Sequence, residues 1–303
     1  MPDAPSGRKH ALLIGINEYP HLSPFEQLEG CVNDARLVAG LLRERFGFPD
    51  DHVTVLTDAE ATQKGILGAM DALADRIGEN DIVVFGYAGH GSQMTDREGD
   101  EPDGLDETLV PHDSGRDPHP NRDITDDQIH AWLQKVAEKT PYTTLLIDCC
   151  HSGTITREVG GARVRSLRPD LRPVSQLPPS DAGGATTRSA GGPEGESGWL
   201  PKSERYVLIA GCRDDEVARE YTEGDQTHGA LTFFLSQALA SAQPGTTYRD
   251  VYEQIRGSVT AYAAKQHPQM EGAMDRELFG VRDIAPMRYV SVETREEIGR
   301  AHV

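Results

Sequence analysis

Cys150 lies in the run Asp148-Cys149-Cys150-His151-Ser152-Gly153, and His90 in Tyr87-Ala88-Gly89-His90-Gly91-Ser92. A thiol and an imidazole together suit nucleophilic attack on a carbonyl carbon. The thiolate attacks, a nearby base or cation lowers its pKa, and fixed donors receive the developing oxyanion. Each residue alone has a plainer reading, because a cysteine after a strand commonly packs as a small apolar group and a lone histidine is commonly structural. The pairing gives them weight: each sits on a glycine-containing turn directly after an apolar run. Gly153 permits a sharp turn after Cys150, and Gly89 and Gly91 leave the backbone around His90 open to close approach.

Alternation along a strand separates the two adjacent cysteines. Asp148 and Cys150 share one face, whereas Cys149 points to the other and is expected in the core. A carboxylate beside a thiol raises its pKa rather than activating it, so Asp148 is better suited to holding a cationic group.

The elements that must position these residues are short apolar runs: 11–16, 53–56, 82–85, 144–147 and 206–209. Such runs fit strands buried on both faces. Between them lie amphipathic stripes, one of Leu37, Val38, Leu41, Leu42 and Phe46, another of Ile66, Leu67, Met70, Leu73, Ala74 and Ile77, with Thr62 as an N-cap. Alternation of strands and helices predicts an α/β fold with a mostly parallel central sheet and helices on both faces. Sites in such sheets lie beyond the carboxyl ends of strands, which sets His90 and Cys150 at one rim.

At 303 residues the chain can bury a full core. A formal charge of −19 argues against a nucleic-acid surface and favours cationic ligands. Four cysteines, at 31, 149, 150 and 212, make no disulfide framework and fit a reducing cytoplasm. No segment reads as an export signal or reaches the length of a membrane span. From 154 to 203 periodicity stops and Gly, Pro, Ser and Arg dominate, which reads as a flexible linker. It carries Arg157, Arg163, Arg165, Arg168, Arg172, Arg188 and Lys202.

The two chemical runs resemble the catalytic blocks of the metacaspases and their bacterial caspase-like relatives, clan CD cysteine peptidases. Leu28-Glu29-Gly30-Cys31-Val32-Asn33-Asp34-Ala35 resembles the early block of that family, and Asp106 to Asp113 with Ile124 to Asp127 its acidic middle block. Ile209 to Asp215 and Pro268 to Gly272 resemble its small-subunit segments. The likeness runs from about His10 to Gly280. It implies a caspase-like domain over 8–283, with a large-subunit-like part at 8–157, the linker at 154–203, a small-subunit-like part at 204–283, and a tail at 284–303.

By that resemblance Cys150 is the nucleophile and His90 the acid-base, and the N–H groups of Gly91 and Cys150 form the oxyanion hole. Asp34 and Asp148, with Cys31 on the wall, form an S1 pocket for Arg or Lys of a protein or peptide substrate; taken alone, Asp34 reads first as a helix N-terminal residue facing the dipole, and the resemblance turns it to substrate recognition. Ala88 stands where the family often has Ser, which leaves Arg against Lys open. Calcium is implied as an activator at Asp113, Asp126 and Asp127, although Asp126 and Asp127 also suit the start of a helix, and Arg157 replaces a fourth acidic position. An enzyme cutting after basic residues would find sites in its own linker; the plain alternative is a loop whose arginines balance local charge. Two rivals stand beside the endopeptidase reading: a non-proteolytic caspase-like scaffold, and a clan CD peptidase or ligase of other P1 preference. Oligomeric state is not legible.

Overall fold

The apolar runs become strands of one central sheet, four of them inside it and the run at 53–56 on its edge, and the amphipathic stripes become helices laid on its two faces. The computed structural model describes residues 7–97, 99, 101, 103–151, 162–177, 203–213 and 215–282. Gly153, Arg157, Arg188, Lys202, linker residues 154–161 and 178–202, and the tail 284–303 lie outside the described residues.

In chain order the strands and helices are β1 (Lys9–Gly15), α1 (Cys31–Phe46), β2 (Val53–Thr57), α2 (Gln63–Arg76), β3 (Ile82–Ala88), β4 (Gly91–Thr95), β5 (Leu105–Leu109), β6 (Ile124–Thr125), α3 (Asp126–Lys139) and β7 (Thr143–Asp148). There follow β8 (Tyr206–Ala210), β9 (Glu220–Glu223), β10 (Gln226–Gly229), α4 (Ala230–Ser241), α5 (Tyr248–Tyr262) and β11 (Gln269–Gly272). The central sheet has six strands in the order β11-β8-β7-β3-β1-β2. Its pairings are parallel except β11 on β8.

Alternate strand residues feed two cores. Leu12, Ile14, Phe85, Leu145 and Leu208 pack on one side with α2 and α3. Leu13, Val84, Leu146, Val207 and Ile209 pack on the other with α1, α4 and α5. A sheet covered on both faces explains why its strands read as continuous apolar runs. Helix starts follow local rules: Thr62 Oγ1 accepts the Gly65 N–H at 3.1 Å, and Thr125 and Gln128 form a capping box at the head of α3.

The central register decides the level of the candidate site. Ala88 at the end of β3 pairs with Asp148 at the end of β7. His90 and Cys150 therefore leave neighbouring strands two residues beyond matched positions, at one rim. Directly after His90 the chain enters β4, which pairs antiparallel with β5, and β5 with β6, in a small separate sheet.

Of the segment read above as a flexible linker, residues 163–170 lie against the body. Arg165, Leu167 and Asp170 are buried there. Single bridges join 164 to 219, 166 to 91 and 170 to 94. The segment lacked periodicity because its partners are edge residues from two distant parts of the chain. Among the described residues, no helix is long and apolar enough to cross a membrane.

Candidate active site

His90 is 2% exposed, and the Glu26 carbonyl receives its Nε2–H at 2.6 Å. That bond fixes the tautomer and leaves Nδ1 as an acceptor. Nδ1 has no hydrogen-bond partner among the described residues. The Tyr19 hydroxyl accepts the His90 N–H at 2.9 Å, and the Tyr87 hydroxyl donates to the His90 carbonyl at 2.7 Å, so the turn is held on both sides. Burial depresses the imidazole pKa from its ordinary value to about 4, with the contact to Glu26 pulling the other way.

Cys150 is fully buried, in a small apolar group with Cys212, Val217 and Ala218. Its Sγ receives the backbone N–H of Ala218 and lies 3.8 Å from the Ala218 carbonyl. Cys149 packs in the core beside Leu145 and Ile147, and burial raises its thiol pKa well above the ordinary value.

The backbone nitrogens of Gly91 and Cys150 both donate to one oxygen, the Arg165 carbonyl, at 3.1 Å each. Two N–H groups from different elements converging on one carbonyl have the geometry required of an oxyanion hole. Gly91 is the residue type this approach demands: a Cβ there would stand 2.2 Å from the Cys150 carbonyl oxygen.

Asp34, in the first turn of α1, and Asp148, at the end of β7, flank one pocket whose occupant is the Arg165 side chain. Arg165 Nη2 lies 2.6 Å from Asp34 Oδ2, and Nη1 3.2 Å from Asp148 Oδ2. Glu220 adds a third carboxylate, with Oε1 3.5 Å from Nη2. The Arg165 side chain is 0% exposed. Each carboxylate is itself positioned. Asp34 accepts from the Gly229 N–H at 2.9 Å and meets His228 Nδ1 at 3.0 Å. Asp148 accepts from the Thr232 N–H and hydroxyl at 3.0 and 2.6 Å. Glu220 accepts from the Gly30 and Glu29 N–H groups at the head of α1, where the helix dipole favours negative charge. Burial raises the pKa of Asp148 and Glu220, and the guanidinium of Arg165 opposes it. Cys31 is buried at the first position of α1, and burial raises its thiol pKa well above the ordinary value.

Of the acidic residues, Asp126 stands with Glu107 and Glu101, their nearest carboxylate oxygens within 4.8 Å of one another. Asp127 follows Asp126 in the first turn of α3. Asp113 is engaged elsewhere, accepting from the Gln63 N–H at 2.8 Å and facing Arg122 at 3.6 Å. Burial, then the nearby charges of Glu101 and Asp103, raise Glu107 to about 7. An all-oxygen set of this kind is a fitting donor set for a hard divalent cation.

Sequence reasoning missed Glu220, Ala218, Glu101 and Glu107 as parts of this region. It named Arg165 only as one of six arginines in the linker. Glu220 carries no local signal, since it opens a two-stranded ribbon, 190 residues after the Gly30 N–H it binds.

Comparison with known proteins agrees with this architecture. The family model described as the caspase domain matches residues 8–279. The chain is 31% identical over 297 residues to metacaspase-1A of Neurospora crassa, covering 88% of this chain and 63% of that protein. It is 30% identical over 267 residues to metacaspase-1 of Arabidopsis thaliana, covering 84% and 65%. For metacaspase-1 of Mycosarcoma maydis the identity is 29%, over 88% and 71%. The chain thus spans about two thirds of the length of these relatives, and less in the first two. A crystal structure of a protein from Geobacter sulfurreducens superposes with a TM-score of 0.61 at 24% identity, over 91% of this chain and 99% of the other, which speaks to fold alone. A sheet with His90 and Cys150 on adjoining strand ends, matched across nearly its whole length by that model, makes this chain a member of the caspase-domain family, similar to the metacaspases.

Proposed function

We propose that this protein is a cysteine endopeptidase that cleaves after basic residues, arginine before lysine, using Cys150 as nucleophile and His90 as acid-base. The observation that carries the proposal is the double engagement of Arg165: its guanidinium lies among Asp34, Asp148 and Glu220 while its carbonyl oxygen accepts from Gly91 and Cys150. A P1 residue needs both contacts at once, charge recognition in the pocket and polarisation at the carbonyl. A planar guanidinium can address two carboxylates through separate nitrogens, which a lysine ammonium cannot reproduce.

In this reading the steps run as follows. Cys150 Sγ turns from Ala218 and gives its proton to His90 Nδ1, the nitrogen left as acceptor. The sulfur attacks the P1 carbonyl carbon, and the two N–H groups take the negative charge on oxygen. His90 returns its proton to the leaving nitrogen as the C–N bond breaks, leaving a thioester. Water, deprotonated by His90, then releases the acid.

Calcium acts in this reading as an activator held by Asp126 with Glu107 and Glu101, a group that has the oxygen chemistry for it. Four unpaired cysteines suit a reducing compartment, and we place the enzyme in the cytoplasm.

The test is a set of fluorogenic peptides differing only at P1, assayed with and without calcium against Cys150→Ala. Turnover of the Arg peptide, weaker turnover of Lys and none by the variant are expected. Cleavage after Asp but not Arg would overturn the specificity.

A further inference from the structure

We propose that Cys212 is a resolving thiol for Cys150: hydrogen peroxide oxidises the Cys150 sulfur, Cys212 closes a disulfide on it, and turnover stops until a dithiol reduces the bond. The bond follows from the placement of the two sulfurs, and its effect on turnover rests on the peptidase reading above.

Two neighbouring strand ends bring these cysteines together. β7 and β8 run parallel with Ile147 matched to Ala210, and the Gly211 N–H donates to the Ile147 carbonyl at 2.8 Å just past that pair. The next residue, Cys212, comes beside the Cys149-Cys150 step, its sulfur 3.9 Å from the Cys149 carbonyl oxygen. Parallel strands stand about 4.8 Å apart, within the roughly 4.4–6.8 Å that a disulfide requires between Cα atoms. Cys150 and Cys212 share one small buried cluster with Val217 and Ala218, and their thiols are hydrogen-bonded to each other. The remaining two cysteines, Cys31 and Cys149, belong to the larger core on the α2 and α3 side of the sheet. All four thiols are free in this structure.

The resting position of Cys150 suits this chemistry. Its sulfur receives the Ala218 N–H, a contact that stabilises a thiolate, and so it stands with Cys212 and not with His90, whose Nδ1 has no partner among the described residues. The hydrogen bond with Cys150, and then burial, hold the Cys212 thiol pKa well above its ordinary value, so Cys212 keeps its proton at neutral pH and Cys150 is the sulfur that attacks peroxide. The Cys150 sulfur takes one peroxide oxygen as the O–O bond breaks, giving a sulfenic acid and one water. The Cys212 sulfur then bonds to the Cys150 sulfur, the S–O bond breaks, and the departing hydroxide takes the Cys212 proton to form a second water. Each thiol loses one electron, and peroxide accepts both. The disulfide keeps Cys150 from turning to His90 and spares it further oxidation to the sulfinic acid, a step thiols do not reverse. A dithiol restores both thiols by exchange and is itself oxidised to a disulfide.

Reduced full-length protein is treated with a slight excess of hydrogen peroxide, its remaining thiols are alkylated, and the digest is read by mass spectrometry. A cross-linked pair of peptides holding Cys150 and Cys212 is expected, lighter by two hydrogens than the separate peptides. Turnover of an Arg peptide with calcium should be lost in step with the cross-link, and dithiothreitol should restore the starting rate. Cys212→Ala and Cys212→Ser should match wild type in turnover while reduced. After peroxide they should carry added oxygen at Cys150 and, once given dithiothreitol, stay at least about 10-fold slower than recovered wild type. The cross-link in wild type is read without either variant, so a substitution that unsettles the fold does not decide the matter. A cross-link from Cys150 to Cys149 or Cys31, sulfinic acid at Cys150 with no cross-link, or full recovery of both Cys212 variants would overturn the inference and leave the peptidase reading standing. No Arg-peptide turnover by reduced wild type would remove the peptidase reading and the effect on turnover, and the cross-link would still decide the bond.

Discussion

Arg165 Nη2 lies 2.6 Å from Asp34 Oδ2, and both side chains are withdrawn from solvent although 131 residues separate them. Neither charge would be tolerated there alone. Removing one partner of a buried, hydrogen-bonded pair typically costs about 3–5 kcal/mol, chiefly because the other is left uncompensated. Asp34→Asn should therefore lower the urea midpoint of the uncut protein and reduce kcat/KM for Arg peptides by about 100-fold or more. Combining it with Arg165→Met should recover part of the stability and none of the activity. A single variant with wild-type midpoint and turnover would contradict the pocket.

Gly91 is where the chain must pass the Cys150 carbonyl without a side chain, since a Cβ would come within 2.2 Å of that oxygen. Gly91→Ala pushes apart the Gly91 and Cys150 N–H groups that we propose as oxyanion donors. Loss of one such donor costs about 100- to 1,000-fold in kcat with a smaller effect on KM. Steady-state kinetics on an Arg peptide checks this, and an equal rise in KM with kcat unchanged would point instead to a binding role.

Acid should destabilise the fold through two buried imidazoles. Burial lowers His90 to about 4 and His151 to about 3, against an ordinary value of 6.5. The unfolded chain therefore binds more protons below about 6.5, so the contribution is present above that pH. It is lost as pH falls towards 4 for His90 and 3 for His151. For His90 it amounts to something on the order of 3 kcal/mol. Urea midpoints should fall between pH 7 and 4.5, and His151→Gln should flatten the lower part of the curve. A level midpoint over that range would rule out neutral burial of these rings.

Calcium affinity should rise with pH. A Glu107 carboxyl with a pKa of about 7 must lose its proton before it can serve as a ligand. Titration calorimetry with calcium chloride should give tighter binding at pH 8 than at pH 6. Glu107→Gln should weaken it more than Asp113→Asn, because Asp113 is already engaged by Gln63 and Arg122. Calcium binding that ignores both pH and Glu107 would remove this group as the site.

Glu29 faces Arg163 at 2.5 Å in a half-open position, where an ion pair contributes roughly 0.5 kcal/mol. Peptides with a basic residue two before P1 should be preferred about twofold over neutral ones. Glu29→Ala should erase that preference and leave the P1 requirement intact, which a pair of matched peptides will show.

Strand and helix patterns sufficed to find five of the six central strands and to set the turns of His90 and Cys150 at one rim, because strands packed between helices read as apolar runs; the order of those strands was decided by the folded chain. Alternation likewise separated Cys149, in the core, from Asp148, in the acidic pocket, since side-chain direction on a strand is a local property. What Asp34 and Asp148 face was decided only by tertiary structure. Arg165 comes from a stretch without periodicity, Glu220 from a ribbon 55 residues further on, and their meeting depends on two edges brought together by the whole sheet. Contacts of that kind leave no spacing in the sequence, because each residue is selected by a partner that only the folded chain places beside it.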